Sequence, residues 1–355
     1  MLRRRTITLS VSAVLLAGFG AGAYLQPVPY VQETPGPTFD VLGSYQGTPL
    51  ITVSGHQTYP TTGELRMVTV SVSNESWQMP IGTAIQGWFS SQQSILPKEI
   101  IYPPNTTQQQ SDAQNAQEFS DSQNEAVSAA LGALGIKPTG VRSEVASTDP
   151  GAPAEGKLLP GDQIGSVDGT KITGTADQQA AEIQKIIQAL PIGAKVTFGI
   201  TRNGAAQTVT TGTVSSGSAN GSKPVAIVGI GLESENEFPF SVDIQLNGIG
   251  GPSAGMMFAL GIIDKITDRN LAGGRTIAGT GTIDGNGVVG AIGGIQMKTQ
   301  GARRDGATVF LAPAANCAEA KENVPAGLEL VSVSTLQDAL NALADLRAGK
   351  TPPLC

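Results

Sequence analysis

Residues 247–267 read NGIGGPSAGMMFALGIIDKIT, a glycine-rich turn running into an apolar stretch with one serine, Ser253, at the junction. The apolar stretch reads as a buried helix. A serine that caps a helix normally precedes a proline at the first helical position. Here the order is reversed, because Pro252 comes before Ser253. With Pro252 as the first helical residue, Gly251 takes the cap and Ser253 sits one residue in, its hydroxyl uncommitted. Local chemistry leaves open whether that hydroxyl has a task, so the rest of the chain has to decide.

The chain has 355 residues and is 40% hydrophobic, which suggests two or three domains with ordinary cores. Its 45 glycines and 5% aromatic content point to many turns and modest aliphatic packing. A net charge of -7 argues against a general nucleic-acid binder, which needs basic surface to displace counterions. Arg3, Arg4 and Arg5 precede the uncharged residues 7–25, a run about long enough to cross a membrane as a helix. Basic residues stay on the cytoplasmic side, so a single-pass anchor in the cell membrane would leave the bulk of the chain outside. Ala21-Gly22-Ala23 also resembles a signal-peptide cleavage site, and a cleaved signal is the alternative. Cys317 and Cys355 fit an exported chain, where a bridge between them would tie down the tail; two unpaired thiols are the other reading. No further cysteines remain for a metal cluster.

The order of segments predicts an α+β multidomain chain. After residues 1–25, residues 26–124 read as an extracytoplasmic β-rich region that ends in a polar connector or solvated helix (103–124) with no core of its own. Residues 125–215 read as a compact β-rich module, with a short helix over 126–134, a helical stripe over 175–190, and a hairpin turning at Asn203-Gly204. A glycine- and serine-rich linker follows at 216–224. Residues 225–350 form the last domain, opening with the buried-strand pattern PVAIVGIGL, and 351–355 are the tail. Over 238–246, Phe238, Phe240, Val242, Ile244 and Leu246 alternate with polar residues and Pro239, so this strand buries one face and points at the Ser253 turn. Ser334 and Gln337 read as a capping box for a final helix.

Within the β-rich module, Leu158, Gly161, Asp162, Ile164, Val167, Asp168 and Gly169 fit L-x-x-G-D-x-I-x-x-V-D-G. This pattern resembles the PDZ domain. The resemblance implies a groove between a strand and a helix, where an extended peptide adds as a β-strand. It does not place the carboxylate-binding loop. A purely structural β-domain is the plainer alternative.

A nucleophilic serine needs a base and donors for an oxyanion. The chain's one histidine, His56, lies far to the N-terminal side, which makes a Ser-His-Asp triad improbable and excludes an H-E-x-x-H zinc site. Neither cysteine has a glycine-rich elbow. Lysine remains. Lys298 follows a double glycine at the start of a predicted helix, among small and apolar residues. An ordinary lysine is a poor base at neutral pH, but burial can depress its pKa by about three units, roughly 4 kcal/mol. Alone, Lys298 would read as an exposed helix lysine.

Taken together, GPSAG (251–255), GTGTI (279–283), GGIQMK (293–298) and LAPAAN (311–316) occur in the order and spacing of the Lon-type Ser-Lys peptidases, which this region resembles. The resemblance implies Ser253 as nucleophile, Lys298 as general base and Thr280 as the threonine that hydrogen-bonds the lysine. Gly251, Pro252 and Ala254 are then the turn around the oxyanion, at a helix end whose dipole suits a developing negative charge. Pro313 and Asn316 match a P-x-x-N segment whose asparagine reads as structural. Gly250 departs from the pattern, since many Lon proteins carry an acid there. No G-x-x-x-x-G-K-[ST] occurs, so no nucleotide or other cofactor is implied.

Anchor, PDZ-like module and Lon-type domain together resemble the membrane-anchored, PDZ-containing Lon-like proteases of the YlbL type. That resemblance implies an ATP-independent serine endopeptidase acting on unfolded or extended proteins outside the membrane, and, by analogy, ring-shaped oligomers. A membrane-anchored PDZ adaptor on a silent Lon-type scaffold is the rival expectation, and a signal-peptidase-like enzyme a third. Gly285, Gly287 and Gly290 fit G-x-G-x-x-G, but the surrounding residues read as strand, turn and strand, so this is a hairpin turn and no dinucleotide site.

Overall fold

The computed structural model describes residues 2–104, 108–174, 176–202, 204–217, 223–246 and 249–355; the side chains of 2–5, 108–109, 113 and 176–177 are outside the description. The chain first forms helix α1 (Leu2–Tyr24), strands β1 (Tyr30–Asp40), β2 (Ile51–Ser54) and β3 (Glu64–Val72), and helix α2 (Ile81–Trp88). Strand β4 (Ser94–Pro97), helix α3 (Gln108–Ala133), strands β5 (Gly140–Thr148) and β6 (Gln163–Val167), and helix α4 (Ala176–Gln188) follow. Next come β7 (Lys195–Arg202), β8 (Ala205–Gly212), β9 (Ile230–Glu237), β10 (Ser241–Ile244) and helix α5 (Gly255–Ile266). The chain closes with β11 (Thr276–Gly279), α6 (Ile295–Arg304), β12 (Val309–Pro313), β13 (Glu329–Val333) and α7 (Leu336–Arg347). It divides into two compact units, Met1–Gly135 with Ser241–Cys355, and Ile136–Phe240.

The first unit is built on a six-stranded sheet in the order β13-β12-β11-β3-β1-β4. Strands β13, β12, β11 and β3 run parallel, while β1 is antiparallel to β3 and β4. Half of this sheet therefore comes from before residue 100. This corrects the expectation that residues 26–124 stand apart from the last domain. Val68 of β3 shares one buried cluster with Ala278, Ile295, Phe310 and Leu330, so neither half has a complete core without the other.

Of the two readings of residues 103–124, the helix holds for 108–124, the first part of α3, but the expectation that the stretch has no core of its own to join is corrected. Phe119 and Ser122 are buried, and the Phe119 ring meets Phe258 of α5 edge-on at 5.9 Å. Too few apolar side chains precede Phe119 for periodicity to reveal its buried face. Residues 126–134, expected as a short helix of the β-rich module, are the other end of α3 up to Ala133 and lie in the first unit. Helix α7 is capped by Thr335 and Asp338, one residue beyond the expected pair: the Thr335 hydroxyl accepts from the Asp338 N–H, and the Asp338 carboxylate accepts from the Thr335 N–H. Cys317 and Cys355 are joined as a disulfide.

The second unit carries the sheet order β8-β7-β6-β5-β9. Ile183 and Ile187 of α4 pack against Leu158, Ile164, Val167 and Phe198. Strands β7 and β8 pair as the expected hairpin, whose Asn203 lies outside the described residues. The PVAIVGIGL pattern, expected to open the last domain, instead feeds β9, which pairs antiparallel with β5 from Ile230↔Thr148 to Glu237↔Gly140. The expected linker is flanked by paired strands, Val214↔Ile227 and Ser215↔Ala226, so it returns the chain within this unit; residues 218–222 of it are outside the description. The strand expected over 238–246 starts only at Ser241, pairs with β2, and keeps the foreseen alternation of half-buried and exposed residues.

Among the described residues, Thr6–Tyr24 in α1 is the helical stretch long and apolar enough to cross a membrane, and none of it is buried.

Candidate active site

Ser253 sits in the turn that enters α5. The helix begins at Gly255 with Ala254 as its N-cap residue, so the expected start at Pro252 is early by three residues. Two bonds hold the turn out of the helix: the Ser253 carbonyl accepts from the Gly281 N–H at 2.9 Å and from the Thr280 hydroxyl at 2.9 Å. The backbone of Ser253 is thereby pinned beyond the end of β11, and its half-buried side chain lines a cavity of about 330 Å³.

Lys298 lines the same cavity. It lies one turn into α6, its N–H bonded to the Gly294 carbonyl at 3.0 Å, and its side chain is 3% exposed. Its ammonium donates to Thr280 Oγ1 at 3.3 Å. Thr280 is fully buried. A threonine hydroxyl has one proton, and here that proton goes to the Ser253 carbonyl. Thr280 can therefore only accept from Lys298, which leaves the lone pair of a neutral lysine free to take a proton elsewhere. Burial lowers the Lys298 pKa to about 8, while the charge of Glu33 opposes that shift.

Glu33 is the site residue that sequence reasoning missed. It lies on β1 and is 5% exposed. Burial pushes its carboxyl above the usual range, Lys298 pulls it back, and Glu319 pushes it up. Gly294, with φ +67°, makes room for it, since a Cβ there would lie 3.1 Å from both carboxylate oxygens. The sequence held one signal: Val31 and Glu33 occupy the same buried register of β1. The prolines at 35 and 37 obscured the strand. Met67, Thr69, Val70 and Ser71 of β3 and Phe119 of α3 complete much of the cavity wall, and these too come from regions without an expected role.

The expected turn residues separate by chemistry. The Gly251 N–H is engaged by the Asn115 carbonyl at 3.1 Å, and Pro252 has no N–H; its carbonyl accepts from Ser122 at 3.0 Å. Ala254 alone of the three has no described acceptor for its N–H. Gly250 faces Asn115, whose Cβ would stand 2.9 Å from a Cβ at 250, so any side chain there would force Asn115 to shift. Asn316 clamps the loop before α6, accepting from the Ile292 N–H and donating to its carbonyl, each at 2.9 Å. His56 is exposed, with a ring nitrogen 2.8 Å from the Gln57 carbonyl, and does not line the cavity. Residues 282–290 form the expected hairpin.

In the second unit the motif residues are structural. Leu158, Ile164 and Val167 are core, and Gly161 and the Asp168-Gly169 turn take positive φ. Asp162 is buried, which raises its pKa, yet its bonds to Arg202 and to the Leu159 N–H hold it below the usual range. The concave surface lies elsewhere: β9 is one edge strand, and beside it a cavity of about 430 Å³ is lined by Ala180, Ala181, Gln184 and Ile187 of α4 and by residues 226–230. Glu144, Glu233 and Glu235 lie close enough to hold a cation, but Arg142 already sits among them, 2.9 Å from Glu235 and 3.5 Å from Glu144.

Residues 248–345 match the family model of the Lon protease (S16) C-terminal proteolytic domain, and residues 132–213 match that of the PDZ domain. Among solved structures, the PDZ domain of the SdrC-like protein from Listeria innocua aligns at 23% identity with a TM-score of 0.21, covering 26% of this chain and 90% of that one. The PDZ domain of the SdrC-like protein from Listeria monocytogenes aligns at 21% identity with a TM-score of 0.22, covering 27% of this chain and 90% of that one. Comparison with curated proteins gives no match. The chain thus carries, after an N-terminal apolar helix, a PDZ domain and the C-terminal proteolytic domain of the Lon protease (S16) family.

Proposed function

We propose that the protein is an ATP-independent serine endopeptidase, held by α1 in the cell membrane, that cleaves unfolded or extended proteins on the outer side. The observation that carries this reading is the buried Lys298, held by Thr280 in the cavity that Ser253 also lines. Ser253 Oγ attacks the scissile carbonyl as Lys298 Nζ takes its proton. The lysine then returns the proton to the leaving amine, and an acyl-enzyme ester remains on Ser253. Water, deprotonated by the same lysine, releases the product acid. The Ala254 N–H at the start of α5 is the backbone donor we assign to the oxyanion.

Substrate enters as an extended strand beside β10, whose last residue Ile244 lines a cavity together with Ala116, Phe119, Ser120 and Gln123 of α3. The PDZ domain captures extended peptide on the edge strand β9, beside α4. The anchor is favoured by its exposure: Leu16 and Phe19 are 72% and 76% exposed, which suits lipid and not water. The test is cleavage of an unfolded, fluorescently labelled protein by the full chain without nucleotide. Loss of cleavage in both Ser253→Ala and Lys298→Ala supports the dyad. Retained cleavage in either variant removes that residue from the mechanism.

A further inference from the structure

Residues 76–97 contain no Asp, Glu, Lys or Arg, and they hold both tryptophans of the chain, Trp77 and Trp88. A water-facing surface usually carries large apolar side chains singly, as Leu159 and Val288 do elsewhere. Here they gather. Trp77 is 39% exposed, Ile85 44%, Trp88 56% and Phe89 89%. Helix α2 turns its small residues Gly82, Ala84 and Gly87 inward and its large ones outward, the reverse of a helix that packs on a soluble core.

This segment is fastened to the point where the chain leaves α1. Pro27 and Val28 pair with Pro80 and Met79, and the Ile81 N–H donates to the Gln26 carbonyl at 2.8 Å. Gln86 donates to the Tyr24 hydroxyl at 2.7 Å, and the Tyr24 ring occupies the space that a Cβ at Gly82 would need. On its other side the segment holds the catalytic half of the unit: Gln92 donates to the Gln300 side-chain oxygen on α6 at 2.9 Å, and Asn323 donates to the Ser91 carbonyl at 2.9 Å.

Tryptophan and tyrosine favour the level of the lipid headgroups, where the ring is in hydrocarbon and the N–H or O–H stays wet. We propose that the collar formed by Trp77, Ile85, Trp88 and Phe89 lies in the headgroup region of the bilayer that α1 spans, fixing the proteolytic unit against the membrane surface. The partner is the lipid interface itself. Because the collar carries no cationic side chain, zwitterionic lipid suffices and anionic lipid adds nothing. The inference rests on α1 being a retained membrane anchor.

The experiment uses the full chain reconstituted into phosphatidylcholine vesicles and recovered by flotation. With no tryptophan outside the collar, tryptophan emission reports on it alone. The expected result is emission quenched by phosphatidylcholine brominated near the headgroup end of its acyl chains, shielding from acrylamide, and no change with added phosphatidylglycerol or salt. Trp88→Phe and Trp77→Phe assign the quenching to each ring. A chain that floats with the vesicles but keeps water-exposed, unquenched tryptophans overturns the collar while leaving the anchor in place. A requirement for anionic lipid overturns the uncharged recognition. Failure to float overturns the anchor, and the collar with it.

Discussion

Replacing Glu33 with Gln isolates one electrostatic contribution to the proposed base. Lys298 titrates at about 8, so about a tenth of the protein holds it neutral at pH 7. Glu33 favours the ammonium form, and this restrains the fall that burial causes. Removing the Glu33 charge while keeping its shape must lower the Lys298 pKa further. The sign for activity follows directly: the base works when neutral, so the acid limb of kcat/KM moves to lower pH. The gain at pH 7 has a ceiling of about tenfold, because the neutral fraction cannot exceed one. At pH 10 the two proteins should agree, since the lysine is neutral in both. The assay is a kcat/KM profile from pH 6 to pH 10 on an unfolded fluorescent substrate. Glu33→Asp, which keeps the charge, should hold the limb near that of the parent. A limb that stays fixed or moves to higher pH in Glu33→Gln would refute the coupling. A lost plateau at pH 10 would show that Glu33 shapes the site by more than charge.

Other consequences follow from the same geometry. Thr280→Val removes the acceptor of the Lys298 N–H and the donor to the Ser253 carbonyl, so kcat should fall by roughly tenfold to a hundredfold with KM little changed. The same variant should lose about 1–3 kcal/mol of stability, read by urea unfolding; an unchanged kcat would remove Thr280 from the site. Reducing the Cys317–Cys355 bridge frees a segment with a sequence separation of 38, worth about 4 kcal/mol in a chain-entropy account. Thermal melts with and without reductant should show that loss, and coincident melts would show the bridge to be energetically idle.

Short motifs and the family resemblance they carry were enough to single out the proposed site residues. Ser253, Thr280, Lys298 and Asn316 sit in short glycine-rich or helix-opening motifs whose backbone demands are local; the structure sets Ser253 and Lys298 on one cavity and bonds Thr280 to both. The β-rich module was readable for the same reason: Leu158, Ile164 and Val167 mark strand and turn within a dozen residues. A glycine-rich segment, by contrast, looks the same whether it joins two domains or returns a chain within one. The boundary near 216–224 was therefore set by what flanks it, the pairing of Val214 and Ser215 with Ala226 and Ile227.

Glu33 shows the deeper limit. By itself the sequence singled out a serine in a turn and, through the resemblance to the Lon-type peptidases, a lysine to pair with it; that Lys298 is buried came only with the tertiary structure. Only the tertiary structure decided which carboxylate stands near Lys298. The β1 strand reaches α6 across more than 260 residues of sequence, by lying beside β3 in the shared sheet. The same closure seated Phe119 in the cavity wall and set Asn115 against Gly250, since both depend on where α3 packs. Motifs carry the groups proposed to react, whereas the field around those groups is a sum over everything nearby in space, and chain order does not encode that sum.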